Sequence, residues 1–243
     1  MKIKLQELIL WEDERLLVVN KPPGLLSLPD GYDPDLPHVG GILAPAIGPL
    51  WIVHRLDKET SGLMILARCP DTHRALNQQF ASRKVFKSYH ALVVGNPLWE
   101  QKTIRLPLQP DGDRRHRTRV NPQLGKPSLT RARVMQRYGQ FALVEAIPHT
   151  GRPHQVRAHL AALDHPVAVD GLYGAGQPVL LSQFKTDYRP GRRPERPMLD
   201  RLGLHAHQIS FDHPDTGQRV AFNAPYPQDL RVTLRQLGKY GRP

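Results

Sequence analysis

Cysteine is almost missing from this chain: Cys69 is the only one in 243 residues, so no disulfide can close within it, and a reducing compartment fits. With no base beside it in sequence, Cys69 reads as an inert small side chain at the end of a strand rather than a catalytic thiol. No apolar run approaches the length of a membrane span. The opening MKIKLQELIL puts Gln6 and Glu7 where a signal peptide needs an unbroken apolar core, so the sequence predicts a cytoplasmic protein. Internal repeats and low-complexity stretches are absent too. So are GxGxxG and P-loop lysine motifs, which counts against a dinucleotide- or ATP-using enzyme. Acidic residues are in deficit, 22 against 34 lysines and arginines, for a formal charge of +12. Such an excess attracts polyanions by counterion release whatever their sequence, which makes nucleic acid the first partner to consider.

What is present suits a loop-rich globular protein: 40% hydrophobic residues beside 24 prolines and 19 glycines. The length supports one substantial core, so residues 1–243 are expected to form a single domain. Strands are predicted at residues 16–20 (LLVVN), 62–68 (GLMILAR), 89–95 (YHALVVG), 129–138, 141–147, 204–211 and 219–223. Helices are predicted over residues 71–83, capped by Asp71, from Gly151-Arg152-Pro153 onward, and along Leu230, Leu234 and Leu237 to a stop at Gly238. In the second of these, Val156, Leu160 and Leu163 form the buried stripe, with His154, Arg157 and Ala161 on the other side. Residues 107–126, charged and rich in turn formers, read as a mobile loop or small hairpin. Strands mostly succeed one another without helical crossovers, which predicts an α+β fold with a mixed, largely antiparallel sheet and a few flanking helices. The arginines gather at residues 114–119 (RRHRTR) and 189–196 (RPGRRPER), beside Arg201, and clustering favours a binding surface over scattered solubilising charge.

Residues 52–68 (IVHRLDKETSGLMILAR) wedge charged and polar residues between two apolar runs, a loop anchored firmly enough to hold a side chain in fixed geometry. Asp57 is the candidate nucleophile or base, with Arg55 two residues away able to lower its pKa. Charge pattern alone fits a surface turn with a local Arg55–Asp57 pair better than it fits catalysis. The histidines at 149, 154 and 159 recur every fifth residue, but on a helix that spacing leaves His154 and His159 about 140° apart, which excludes a shared metal ion.

The segment His54-Arg55-Leu56-Asp57-Lys58-Glu59-Thr60-Ser61-Gly62 resembles the HRLD-x-x-TSG signature of the RluA-type pseudouridine synthases. Four more segments are similar in order: Asn20-Lys21-Pro22-Pro23-Gly24, Tyr89-His90-Ala91-Leu92-Val93, HTGRPHQVRAH at 149–159, and Leu204-His205-Ala206. The likeness spans about Trp11 to Pro225, and colinear motifs are far more specific than any one alone. It implies the pseudouridine synthase catalytic fold and an enzyme that detaches uracil from ribose in rRNA or tRNA, turns the ring and rejoins it through carbon, with neither cofactor nor metal. It also implies that Asp57 is the nucleophile, by attack on ribose C1′, attack on uracil C6, or a glycal-type elimination. Tyr89, by itself a strand aromatic filling a core, becomes the residue stacked on the target base. Arg157, by itself a solvated helix arginine, becomes the partner that orients Asp57. Arg55 and Arg152 are assigned to RNA binding, and Leu204 to an apolar wall of the base pocket. Arg114, Arg115 and Arg117 are expected to track the RNA backbone, offsetting the cost of extruding a base. Pro153 stands where the family more usually has threonine, serine or lysine, and no separate S4-type RNA-binding domain is expected before Trp11. Small relatives make a monomer the default. Two other readings compete: a non-catalytic basic RNA-binding protein, which has no need of Asp57, and a carboxylate glycoside hydrolase, which needs a second acid that the later motifs do not offer.

Overall fold

The computed structural model of the protein describes residues 5–241. In chain order the elements are α1 (Leu5–Leu8), β1 (Ile9–Glu12), β2 (Leu16–Lys21), α2 (Val39–Ile47), β3 (Trp51–Ile52), β4 (Ser61–Ala67), α3 (Pro70–Ala81), β5 (Phe86–Val94), β6 (Gln101–Ile104), β7 (Leu108–Gln109), β8 (Arg119–Val120), β9 (Thr130–Arg137) and β10 (Phe141–Pro148). Then come α4 (Gln155–Ala161), a 3-10 turn at Leu181–Gln183, β11 (Leu204–Asp212), β12 (Arg219–Asn223) and α5 (Gln228–Tyr240). The fold is α+β with a mixed, mostly antiparallel sheet, and the chain gathers into two compact units: one runs to Lys87 and takes back His205–Pro225, and the other holds Ser88–Leu204 and the chain from Tyr226.

The first unit is built around β4, whose seven residues are all buried: Leu63, Ile65 and Ala67 pack into one core cluster, and Met64 on the alternate face meets Ser27. β2 pairs antiparallel to it, Val18 opposite Ile65, and β11 pairs parallel, His205 opposite Ser61 and Ala206 opposite Gly62. Gly62 sits at φ +114°, and a Cβ there would fall 2.2 Å from the Ala206 carbonyl oxygen, so only glycine allows this parallel approach. The amphipathic α3 buries Leu76 in a cluster with Leu16, Val18, Leu63, Ile65 and Phe211.

In the second unit β5, β10, β9 and β6 form an antiparallel sheet whose alternation serves two cores. Ala91 and Val93 of β5 with Ala142, Val144 and Ala146 of β10 face one core, which Val156 and Leu160 of α4 complete. Leu92, Phe141 and Leu143 face the opposite core, under Leu230 and Leu237 of α5.

Several expectations shift. α3 starts at Pro70 with Cys69 as its cap residue, because proline fits a first helical turn, and Asp71 lies inside it. The Cys69 thiol bonds Thr72 Oγ1 at 3.2 Å, and this contact, ahead of the nearby Arg15, pushes its pKa down. α4 begins at Gln155, after His154 turns through a left-handed φ of 51°, and Gln155 to Leu160 are all buried. Arg157 therefore does not project from an open face. Gly238 does not end α5, which continues to Tyr240. Residues 107–126 form a small hairpin with β7 and β8 paired.

Candidate active site

Asp57 sits half-buried on the loop between β3 and β4, which is fixed by contacts at His54, Leu56, Asp57 and Lys58. His54 Nε2 accepts from the Ile65 N–H at 3.0 Å while its ring stacks on Phe80, centroids 4.9 Å apart. Burial, with a smaller push from Lys87, drives its pKa down to about 3, so His54 is a neutral strut. The buried Leu56 exchanges bonds with Ser27: its N–H donates to Ser27 Oγ at 3.0 Å and its carbonyl accepts from that hydroxyl at 2.7 Å. The Asp57 carbonyl accepts from Thr60 N–H at 3.1 Å, which makes a turn. The Lys58 carbonyl accepts from Gly24 N–H and from the ammonium of Lys21, both at 2.9 Å. Lys21 is wholly buried and also donates to the Leu25 and Pro22 carbonyls, so the lysine of the Lys-Pro-Pro-Gly turn is a tie rod for the Asp57 loop. Past the loop, Ser61 Oγ meets His205 Nδ1 at 3.0 Å, both residues buried.

Arg55 does not pair with Asp57. Its side chain is exposed, and it forms no ion pair among the described residues. The sequence reading of a local Arg55–Asp57 pair is thereby corrected.

In the second unit, Arg157 and Asp170 form a bidentate pair, Nε to Oδ2 at 2.7 Å and Nη2 to Oδ1 at 2.8 Å, with the Arg157 side chain 8% exposed and that of Asp170 0%. Burial alone would raise the Asp170 carboxyl, but the Arg157 bonds and charge, with the N–H groups of Leu172 and Tyr173, more than offset it and hold it below the ordinary carboxylate range. Oδ1 receives those two N–H groups at 2.9 and 3.1 Å, an Asx-turn. Val169, just before, is held at φ 60°, a left-handed conformation costly for a β-branched residue, so packing rather than local preference sets this turn. The guanidinium also lies over the Tyr173 ring, 5.1 Å from its centroid.

Gln155 locks the start of α4. Its Oε1 accepts from Thr150 Oγ1 at 2.7 Å and from Arg152 N–H at 3.1 Å, and its Nε2 donates to Leu129 O and Thr130 Oγ1, both at 2.9 Å. His159, fully buried, bonds Thr130 Oγ1 at 2.8 Å and Leu106 O at 3.0 Å, and burial lowers its pKa. Tyr89, opposite Ala146, packs on the core cluster that contains Leu204, Val156 and Leu160. One unit thus brings Tyr89, Leu204 and the helix of Arg157 together, and the other carries Asp57 and Arg55.

The first arginine cluster divides by role. Arg117 donates to Asp113 Oδ2 at 2.7 Å and Leu172 O at 3.0 Å, and Arg115 to Gly171 O at 2.9 Å, clasping the hairpin to the turn that presents Asp170. Arg114 is exposed. Arg152 is half-buried, with its Nε lacking a partner among the described residues. Sequence reasoning missed Asp170, Tyr173 and Gln155. The one signal for Asp170 was an Asp-Gly pair directly after the apolar Val167-Ala168-Val169, a buried-turn signature.

The family model described as RNA pseudouridylate synthase matches residues 15–162. The ribosomal large subunit pseudouridine synthase C of Vibrio vulnificus (strain CMCP6) is 37% identical over 236 residues, which cover 96% of this chain and 70% of that protein. The ribosomal large subunit pseudouridine synthase D of Neisseria meningitidis serogroup B (strain ATCC BAA-335 / MC58) is 34% identical over 234 residues, 94% of this chain and 60% of that protein. Among solved structures, human RNA pseudouridylate synthase domain containing 1 superposes with a TM-score of 0.71 at 26% identity, covering 100% of both chains.

Proposed function

The chain belongs to the RNA pseudouridylate synthase family, and we propose that it isomerises uridine in large-subunit ribosomal RNA with Asp57 as its nucleophile. The observation that carries the reading is the clamp on the Asp57 loop, where His54, Leu56, Lys58 and Thr60 are each hydrogen-bonded around one half-buried carboxylate. The choice of RNA follows the names of the bacterial relatives. The reaction breaks the N1–C1′ bond, joins C5 to C1′ and moves the C5 proton to N1 overall, so it needs neither oxidant nor reductant. A carboxylate suits attack on C1′ or C6 and also a glycal-type elimination.

In this reading the chain acts as one catalytic domain: Arg157, oriented by Asp170, is the arginine assigned to Asp57, Tyr89 stacks on the extruded base, and Leu204 walls the base pocket. Arg55, Arg114 and Arg152 contact phosphates, and Arg115 and Arg117 hold their hairpin in place to do so. The enzyme works as a monomer in the cytoplasm. Among the described residues no helix is long and apolar enough to cross a membrane.

The test is Asp57→Asn, assayed for pseudouridine in large-subunit rRNA transcripts and in tRNA. It should lose activity roughly a thousand-fold or more while keeping its RNA affinity. A variant that still formed pseudouridine would remove Asp57 from the chemistry, and a wild-type protein that bound RNA without modifying it would favour the non-catalytic reading. Loss of pseudouridine from tRNA but not from large-subunit rRNA in a strain lacking this protein would reassign the target.

A further inference from the structure

The second arginine cluster takes no part in the site above. Arg189, Arg192, Arg193 and Arg196 are all exposed, and none forms an ion pair or hydrogen bond among the described residues. Residues 185–196 hold five cations and only two acids, Asp187 and Glu195. One of those acids is already in use: Glu195 accepts from the Ser182 N–H at 2.9 Å, and its contact with Tyr188 helps keep that tyrosine protonated, after burial. Five cations against two acids leave the segment strongly positive, and a bound polyanion relieves the repulsion among its arginines.

Beside this segment lies an open cavity of about 480 Å³, lined among others by Tyr138, Phe184, Lys185, Tyr188 and Tyr240. That volume falls within the roughly 300–1,000 Å³ of small-ligand pockets. Tyr138, Phe184 and Tyr240 belong to the core under α5, the sheet face opposite α4 and Tyr89. Lys185 Nζ lies 5.2 Å from the centroid of Tyr240, so a cation is already held over an aromatic face in the cavity. Gln140 and Gln183 complete the lining and are internally bonded: the Gln140 side chain donates to the Gln183 backbone carbonyl, and the Gln183 amide accepts from the Leu180 N–H and donates to the Pro178 carbonyl. An aromatic face for a base, here that of the half-buried Tyr188, and cations for phosphates are the parts of a single-strand RNA site.

We propose that this cavity and residues 189–196 form a second RNA-binding site, which takes an unpaired nucleotide of the substrate by stacking its base on Tyr188 and gripping the flanking phosphates with Arg189, Arg192, Arg193 and Arg196. It lies on the other face of the second unit's sheet from α4, so it anchors RNA remote from the modified uridine. The inference rests on RNA being the substrate.

The test compares wild type, Tyr188→Ala, Tyr188→Phe and the fourfold arginine-to-alanine variant. Binding of an unstructured 12-nucleotide oligoadenylate is read by fluorescence anisotropy across salt concentrations, and kcat and KM are measured on an rRNA transcript. Tyr188→Ala should bind about tenfold more weakly and Tyr188→Phe should match wild type, because stacking needs the ring and not the hydroxyl. The arginine variant should lose about 0.7 of salt slope per phosphate contact removed. In both weakened variants KM should rise with kcat unchanged, which also shows that they fold. Wild-type affinity in Tyr188→Ala overturns the inference even if the arginine variant weakens, since charge would then act without a base pocket. Unchanged binding in both overturns it as well and leaves the catalytic reading standing. If wild type itself neither binds nor modifies RNA, it is the catalytic reading that fails.

Discussion

At the scale of single residues, Asp170 decides how rigidly Arg157 is held. The pair is buried on both sides, and removing one partner of such a pair leaves the other charged and without water, at a cost of about 3–5 kcal/mol. Asp170→Ala should therefore lower unfolding stability in urea by that amount. Arg157→Lys, which keeps the charge but cannot make the two-pronged contact, should lower kcat far more than it raises KM. A stable Asp170→Ala protein with wild-type kcat would show that the fork has no bearing on catalysis. His54 makes a separate prediction. Its folded pKa, about 3, lies below the ordinary histidine value of 6.5, so between those values the unfolded chain takes up a proton that the folded chain refuses. Stability is then complete above pH 6.5 and falls as pH drops through this window. His159, also lowered by burial, acts in the same direction. Replacing His54 with glutamine should flatten the slope of unfolding free energy against pH between 6 and 4, measured by denaturant titration. An unchanged slope would mean that position 54 does not titrate on unfolding.

At the scale of elements, the β4–β11 pairing depends on one position. Gly62→Ala must place a Cβ against the Ala206 carbonyl from a backbone angle that alanine rarely adopts, and it should cost at least about 3 kcal/mol, seen as a large fall in melting temperature. The hairpin of β7 and β8 separates two kinds of arginine. Arg117→Ala should destabilise the protein because it breaks a clasp onto the turn after Asp170, whereas Arg114→Ala should leave the melting temperature unchanged and weaken RNA binding. Equal effects on stability would erase that distinction. Elements with a strong apolar signal were legible: β12 is where residues 219–223 were expected, and β4 and β10 agree to within a residue at each end. β6 was not, since three of its four residues are exposed and it has no apolar alternation to read. α2 was hidden by Gly40, Gly41 and Pro45, which argue against a helix locally, yet His38 caps it by accepting from Gly41 N–H at 3.1 Å. Of the proposed site, Asp57 could be singled out from the sequence because its neighbours form a contiguous motif. Asp170 was not, because it meets Arg157 only after 13 residues of helix and turn bring it back.

At the scale of the whole molecule the governing quantity is charge. The formal +12 is already net of the acids, so ion pairs such as Arg157–Asp170, Arg201–Asp229 and Arg117–Asp113 leave the excess unchanged and decide only which cations stay free. The cations left for RNA are those at the surface, Arg114 and the four arginines of residues 189–196 among them. If six to ten phosphates are neutralised, affinity should fall by roughly a thousand-fold or more between 50 and 200 mM salt. Asp57→Asn should show the same salt slope as wild type, since a nucleophile that meets sugar or base contributes no phosphate contact. A titration in which wild-type affinity barely changed over that range would mean that the charge excess does not grip the backbone, and stacking in the base pockets would then have to supply the binding free energy.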